Sequence, residues 1–137
     1  MTVFIDTSVW FAMVVRRDRN NARAKEILGG IDRAVTTDHV IVETWLLLNN
    51  RYRRSGADLF WEGFRANAAQ IELVTMADLQ VAWTIADAFR DQTFSIVDRT
   101  SLAVMERLGI TRVASFDRDF AIYRYGPNRD RAFEVLR

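Results

Sequence analysis

Short apolar runs alternate with longer amphipathic segments along the whole chain. Runs at 2–5, 34–37, 71–74, 112–115 and 132–136 have the length of strands, and we expect the last at a sheet edge. The segments from about Val9, at 21–28, from Asp38 to about Arg54, at 57–69, at 77–90 and at 95–108 predict helices. Strands that alternate with helices indicate an α/β fold, a mostly parallel sheet of four to five strands covered on both faces.

The ends of these segments carry ordinary helix signals. Thr7 or Ser8 is expected to cap the first helix, and Asp38 the long helix that follows the second strand. Gly29-Gly30 and Gly109 follow two predicted helices and are typical stops. No repeat or linker interrupts the pattern, so the 137 residues are expected to form a single domain over 1–137.

Composition excludes several classes of protein. Half of the residues are hydrophobic, which is enough for a packed core, and no apolar run approaches the roughly 18 residues of a membrane helix. Cysteine is absent, which removes disulfides, thiolate nucleophiles and zinc–thiolate sites. Since the first residues also lack an export signal, we expect a cytoplasmic protein with no membrane contact.

The net charge is only +1, but Lys25 is the only lysine among 19 basic residues. A GC-rich coding sequence is the simpler explanation of that bias, although arginine also suits bidentate phosphate contacts. Arginines cluster at 16–19 and at 51–54, and Tyr52 interrupts the second cluster with an aromatic ring that a base could stack on. Arg51, Arg53 and Arg54 are therefore candidate RNA-binding residues.

Four acidic residues stand where an active site is expected. Asp6 and Asp117 each follow a predicted strand, and the carboxyl ends of parallel strands meet at one sheet edge. Glu43 and Asp98 each interrupt an apolar helical stripe, where a carboxylate is costly unless a cation or a donor compensates it. Simpler interpretations are a helix cap for Asp6, a buried Glu–Arg pair for Glu43 and a solvated loop for Asp117.

Carboxylates gathered at one edge would repel one another unless a cation lay among them. Their oxygens suit Mg²⁺ or Mn²⁺, and the obvious use of such a site is hydrolysis of a phosphodiester. Asp119 lies two residues after Asp117 and could support or replace it, and the Ser115 hydroxyl could orient a neighbouring carboxylate.

The acidic motifs taken in order resemble those of the PIN-domain nucleases. The matching segments are Phe4-Ile5-Asp6-Thr7-Ser8-Val9-Trp10, Val42-Glu43-Thr44, the ten residues 94–103 around Asp98, and Ser115-Phe116-Asp117-Arg118-Asp119-Phe120. Each motif alone is weak, but the ordered set is specific and runs essentially from end to end. The chain length is similar to that of the VapC toxins, in which the PIN domain is the whole protein.

The resemblance implies a three-layer α/β/α sandwich and a Mg²⁺-dependent endoribonuclease that leaves a 3′-hydroxyl and a 5′-phosphate. It implies a small VapB-type antitoxin as partner, an RNA substrate and a homodimer. Carried over by position, the metal ligands and catalytic residues are Asp6, Glu43, Asp98 and Asp117, with Thr7, Ser115 and Asp119 in support.

Residues 39–49 and 101–105 resemble a narrower VapC subgroup, which cleaves the sarcin–ricin loop of 23S rRNA. Other VapC toxins cut tRNA anticodon loops, and that substrate is the second choice. Arg99 departs from the subgroup, which tends to have a small residue there. An arginine beside Asp98 could contact phosphate or disturb the site.

Other parallel α/β proteins with an aspartate at a strand end fit less well. Receiver domains and haloacid-dehalogenase-like phosphatases need a lysine late in the chain, whereas Lys25 lies in the first third. No Gly-Lys-[Ser/Thr] sequence indicates a P-loop, and His39 is the sole histidine, so a multi-histidine metal site is excluded. A catalytically silent PIN module that binds RNA or protein stays open as the alternative function.

Overall fold

The computed structural model describes residues 1–137, and its centre is a five-stranded sheet in the order β3-β2-β1-β4-β5. The strands are β1 (Thr2–Ile5), β2 (Arg33–Thr37), β3 (Gln70–Glu72), β4 (Arg112–Ala114) and β5 (Glu134–Leu136). Every neighbouring pair is parallel, and β5 lies at an edge as predicted. All the strands therefore point their carboxyl ends to the same side of the molecule.

Seven helices flank this sheet and confirm the predicted α/β class. They are α1 (Thr7–Val14), α2 (Asn21–Gly29), α3 (Asp38–Arg51), α4 (Arg54–Arg65), α5 (Met76–Ala88), α6 (Ile96–Leu108) and the short α7 (Asp119–Ile122). None of these helices has the length and apolar content that crossing a bilayer requires.

The core lies around the central strand. Val3, Phe4 and Ile5 of β1 are fully buried, as expected for a parallel strand covered on both faces. On α1, Trp10 packs against two phenylalanine rings of α4, Phe60 and Phe64, with centroid distances of 6.0 and 5.2 Å. This packing fixes α1, and with it the turn that joins α1 to the end of β1.

Two helix caps differ from the prediction. Thr37, not Asp38, caps α3, since its side chain accepts a hydrogen bond from the Val40 amide at 3.1 Å. The Asp38 carboxylate instead accepts the Val74 amide at 2.9 Å and ties α3 to the segment after β3. On α1 the cap position belongs to Asp6, whose side chain makes no capping hydrogen bond, so the prediction of a Thr7 or Ser8 cap was wrong.

Several boundaries also move. The long predicted helix ends at Arg51, and α4 begins at Arg54 rather than at residue 57, because the chain turns at Tyr52-Arg53. Gly56 permits the tight turn, since a Cβ there would lie 2.7 Å from the Tyr52 ring. α4 stops at Arg65, β3 and β5 are shorter than predicted, and α7 was not predicted at all.

Candidate active site

The carboxyl ends of β1 and β4 bring Asp6 and Ser115 together, because these strands are neighbours in the sheet. The Ser115 hydroxyl donates to Asp6 Oδ2 at 2.8 Å, and the Ser8 hydroxyl donates to the same oxygen at 2.9 Å. Ser8 accepts the Phe116 amide at 2.9 Å, and Ser115 accepts the Asp117 amide at 3.1 Å. Two serines, each held by the chain after β4, therefore fix one carboxylate.

Asp6 is only 1% exposed, and its environment disfavours its negative charge. Burial, with a further contribution from the charge of Asp117, raises the pKa of Asp6 to about 6, against the lowering effect of the Ser115 and Ser8 hydrogen bonds. Asp6 stands at the cap position of α1, but a capping role alone does not explain its side chain, which accepts hydrogen bonds from the Ser8 and Ser115 hydroxyl groups.

Asp98 is the second buried acid, 8% exposed, at the start of α6. Its carboxylate accepts the Ser95 amide at 3.2 Å, while its own amide donates to the Ser95 hydroxyl at 3.0 Å, which completes a capping box. Burial, the proximity of Asp119 and the charge of Asp6 raise the pKa of Asp98 well above its usual range. A capping role alone explains the Ser95 contacts but not this crowding by other acids.

Asp117 and Asp119 add further negative charge from the loop after β4. Partial burial and the nearby charge of Asp119 raise the pKa of Asp117. Asp119, at the start of α7, lies within hydrogen-bonding reach of a protonated Asp98 carboxyl. The structure therefore brings Asp6, Asp98, Asp117 and Asp119 close enough for their negative charges to repel one another.

Glu43 approaches from α3, where it lines a cavity of about 480 Å³ together with Ser8 and Asp117. The prediction that α3 buries most of its surface was wrong, because Val42 and Leu46 are 58% and 48% exposed. Glu43 is accordingly half-buried. It has no basic partner within 4.0 Å, so the buried Glu–Arg pair is also excluded.

None of the five acids forms a salt bridge, although 19 basic residues are present in the chain. Oxygen-only donors without a protein cation fit a hard divalent ion such as Mg²⁺. No three of the acidic side chains converge on one point as in a preformed metal site. Enclosing an ion therefore requires at least one carboxylate to turn toward the others.

Thr7 and one of the predicted RNA-binding arginines line the cavity, and other predicted arginines do not. Thr7 is buried, lines the same cavity and leaves its hydroxyl without a hydrogen-bond partner. Arg51 lines the cavity, whereas Arg54 lies 3.8 Å from Asp58 and does not line it. Arg99 donates weakly to the Ser95 carbonyl at 3.4 Å.

Sequence reasoning missed two contributors. Ser8 was considered only as a helix cap, yet it positions Asp6. Ser8 lies two residues after an aspartate that ends a strand, in the first turn of a helix. That spacing could have indicated its contact with Asp6. Arg19 also lines the cavity, but it belongs to the loop between α1 and α2, whose position relative to the sheet no periodicity reports.

Comparison with known proteins agrees with this geometry. The PIN domain family model matches residues 3–124. The chain is 36% identical over 121 residues to the 23S rRNA-specific endonuclease VapC20 of Mycobacterium tuberculosis H37Rv, covering 87% of this chain and 92% of VapC20. The same VapC20 sequence is matched in strain CDC 1551.

Solved structures match as well. The crystal structure of M. tuberculosis VapC20, described as a sarcin–ricin loop cleaving toxin, superposes with a TM-score of 0.81 at 31% identity, covering 85% of this chain and 91% of that one. A toxin–antitoxin complex from Klebsiella pneumoniae shares the fold, with a TM-score of 0.60 at 8% identity over 85% of this chain and 88% of that one. From its motifs, its sheet and these matches, the chain belongs to the PIN-domain family.

Proposed function

We propose that the protein is a divalent-metal-dependent endoribonuclease and the toxin of a toxin–antitoxin pair. One observation carries the proposal: Asp6 is buried at the end of the central strand, held by two serines and crowded by other acids, with no cation to balance them. A site that only stabilised the fold would be expected to pair these charges with basic side chains instead of gathering them.

In this proposal Asp6, Glu43, Asp98 and Asp117 hold Mg²⁺, or Mn²⁺ in its place, and Asp119 supports Asp98. A divalent ion supplies Lewis acidity toward water and toward the negatively charged phosphodiester. The chain's own residues do the positioning. Ser8 and Ser115 fix the orientation of the Asp6 carboxylate, and the Ser95 capping box fixes the start of α6 that carries Asp98.

The protonation of these acids in metal-free protein follows from the same geometry. Raised pKa values at Asp6 and Asp98 mean that without a cation both acids retain protons at higher pH than exposed aspartates do. Binding of an ion requires the carboxylates to lose those protons, so metal affinity should rise with pH through the neutral range.

For the substrate we propose the sarcin–ricin loop of 23S rRNA, with a tRNA anticodon loop as the second candidate. The support is the relative named as a 23S rRNA-specific endonuclease, whose likeness covers 87% of this chain. Its solved structure carries the sarcin–ricin description and superposes with a TM-score of 0.81.

We further propose a VapB-type antitoxin as partner, a homodimer as the assembly and the cytoplasm as the location. Support for a protein partner comes from large apolar side chains left in solvent. Trp83 is 75% exposed, and Met76 and Leu73 are similarly uncovered. Exposed apolar side chains of this size fit contact with another protein surface better than contact with RNA.

The test uses purified full-length protein, a synthetic sarcin–ricin hairpin and an anticodon stem-loop, each with Mg²⁺, Mn²⁺ or EDTA. We expect metal-dependent cleavage of the hairpin that Asp6→Asn and Asp98→Asn abolish. Asp130→Asn is the matched control, since Asp130 is exposed and has no partner. RNA binding without cleavage under every condition would instead favour the silent PIN module.

Growth provides a second readout. Expression of the wild-type chain alone should slow bacterial growth, and expression of Asp98→Asn should not. Equal toxicity of the two proteins would contradict the proposed nuclease.

A further inference from the structure

We propose that Arg19 and Arg51 bind a backbone phosphate of the RNA on one flank of the scissile phosphodiester, as a cationic rim to the acidic cavity. The inference rests on the proposed nuclease function and deepens it by assigning how the substrate is held. Its basis is the juxtaposition of two unpaired guanidinium groups with the acids in one cavity.

The cavity of about 480 Å³ is lined by both acidic and basic side chains. Glu43, Leu47 and Arg51 all line it and follow one another at intervals of four residues along α3, so they share a helix face. Eight residues of helix separate Glu43 from Arg51 by about 12 Å along the axis. A nucleic-acid strand whose scissile phosphate lies near Glu43 therefore has a flanking phosphate within reach of Arg51.

Neither arginine is used by the fold. Arg19 and Arg51 make no salt bridge within 4.0 Å and no hydrogen bond from their side chains, even though Asp18, Glu43 and Asp117 line the same cavity. Other surface arginines, such as Arg65, do pair with a neighbouring acid. Two exposed guanidinium groups that face acids without pairing have all their donors available for phosphate oxygens.

The loop that carries Arg19 has a defined backbone. The Asp18 carboxylate accepts the Asn20 amide at 2.8 Å, and the Asn21 side chain donates to the Ala12 and Met13 carbonyls at 2.7 and 3.1 Å. These bonds tie the loop to the end of α1. Arg19 is therefore presented from a fixed position, so that binding a phosphate costs mainly side-chain ordering.

Beyond the rim, Tyr52 organises more arginines. The guanidinium carbons of Arg17 and Arg53 lie 5.9 and 4.4 Å from its ring centre, and Gly56 packs closely against the ring. Stacking of a base on Tyr52 stays a prediction, and Arg53 lies over the same ring. The surface continues the positive charge of the rim outward, which suits contact with the RNA backbone instead of its bases.

The first test compares wild type with the Arg19→Gln/Arg51→Gln double variant, which keeps side-chain length and removes two charges. Fluorescence anisotropy with the labelled sarcin–ricin hairpin in EDTA gives Kd between 50 and 200 mM salt. We expect at least a tenfold rise in Kd at the lowest salt and a salt slope smaller by about 0.7 for each phosphate that the variant no longer neutralises. Arg65→Gln/Arg90→Gln is the matched control, since both arginines are exposed and do not line the cavity.

The second test locates the phosphate. Each hairpin in a series carries one neutral methylphosphonate linkage, at a different position around the cut site. Cleavage of each hairpin is measured with wild type and with the double variant. A linkage next to the scissile bond should lower kcat/KM for wild type and should have little further effect on the double variant. The loss should fall mainly on KM, because the arginines bind the strand and do not touch the reacting atoms.

Equal Kd, equal salt slope and an unchanged methylphosphonate profile in the double variant would overturn the inference while leaving the nuclease proposal intact. If wild type binds the hairpin through these arginines and cuts no RNA, the nuclease proposal fails and the rim stands. The two failures are therefore distinguishable.

Discussion

Replacing Asp6 by asparagine should stabilise the metal-free protein at neutral and alkaline pH while removing its activity. The folded state holds the Asp6 proton more tightly than the unfolded chain does, since the pKa rises from 3.8 to about 6. Well below pH 3.8 both states are protonated and the penalty is absent. Stability then falls as pH rises through about 6, because the folded state binds more protons than the unfolded state over that interval.

The magnitude follows from the same values. A rise in pKa from 3.8 to about 6 corresponds to about 3 kcal/mol, at roughly 1.4 kcal/mol for each tenfold change in proton affinity. Asparagine carries no charge, and its side-chain oxygen still accepts hydrogen bonds from Ser8 and Ser115. At pH 8 in EDTA, Asp6→Asn should therefore be more stable by up to about 3 kcal/mol, which is near 10 °C in Tm.

Urea denaturation of wild type, Asp6→Asn and Asp130→Asn at pH 4 and pH 8 measures the effect. The Asp6→Asn advantage should be present at pH 8 and mostly lost at pH 4, and the exposed control should match wild type at both. Millimolar Mg²⁺ should stabilise wild type and do little for Asp6→Asn, since only wild type retains the full acidic site. If Asp6→Asn is less stable than wild type at pH 8 in EDTA, the buried Asp6 charge does not destabilise the fold as inferred.

Two further substitutions separate activity from stability. Ser115→Ala removes a hydrogen-bond donor to Asp6, so it should raise the pKa of that acid further and lower the cleavage rate about tenfold. The pH–rate profile of hairpin cleavage should shift to higher pH, and an unshifted profile would contradict this. Burial acts to raise the pKa of Asp78, but two hydrogen bonds from Arg107 help to hold it below its usual range, and Arg107→Gln weakens them. It should cost about 2 kcal/mol of folding free energy at pH 7 and less near pH 3, without loss of cleavage, and urea unfolding with a cleavage assay checks both.

Much of the acidic site could be located from the sequence because it lies at ends of regular elements. Asp6 and Asp117 follow strands whose parallel arrangement places their carboxyl ends at one edge, and Asp98 was identified by its place in an apolar stripe. The reason for selecting Glu43 from the sequence, a largely buried helix, was wrong. Its helix is partly exposed, and what singles Glu43 out is the cavity it shares with Asp117.

Details that depend on tertiary contacts could not be predicted. Thr37 rather than Asp38 caps α3 because Asp38 bonds to the segment after β3, which only the folded sheet brings near. Ser8 and Arg19 join the site through the same kind of contact. Periodicity reports which face of a helix is apolar, but it does not report which loop approaches it.

The acids grouped around Asp6 are proposed to hold a divalent ion. Isothermal titration of Mn²⁺ into the metal-free protein at pH 7.5 tests this without RNA, on wild type, Asp6→Asn, Asp98→Asn and Asp130→Asn. We expect wild type and Asp130→Asn to bind the ion alike, and each of the other variants to lose at least tenfold in affinity. Unchanged Mn²⁺ binding in Asp6→Asn and Asp98→Asn would contradict the proposal.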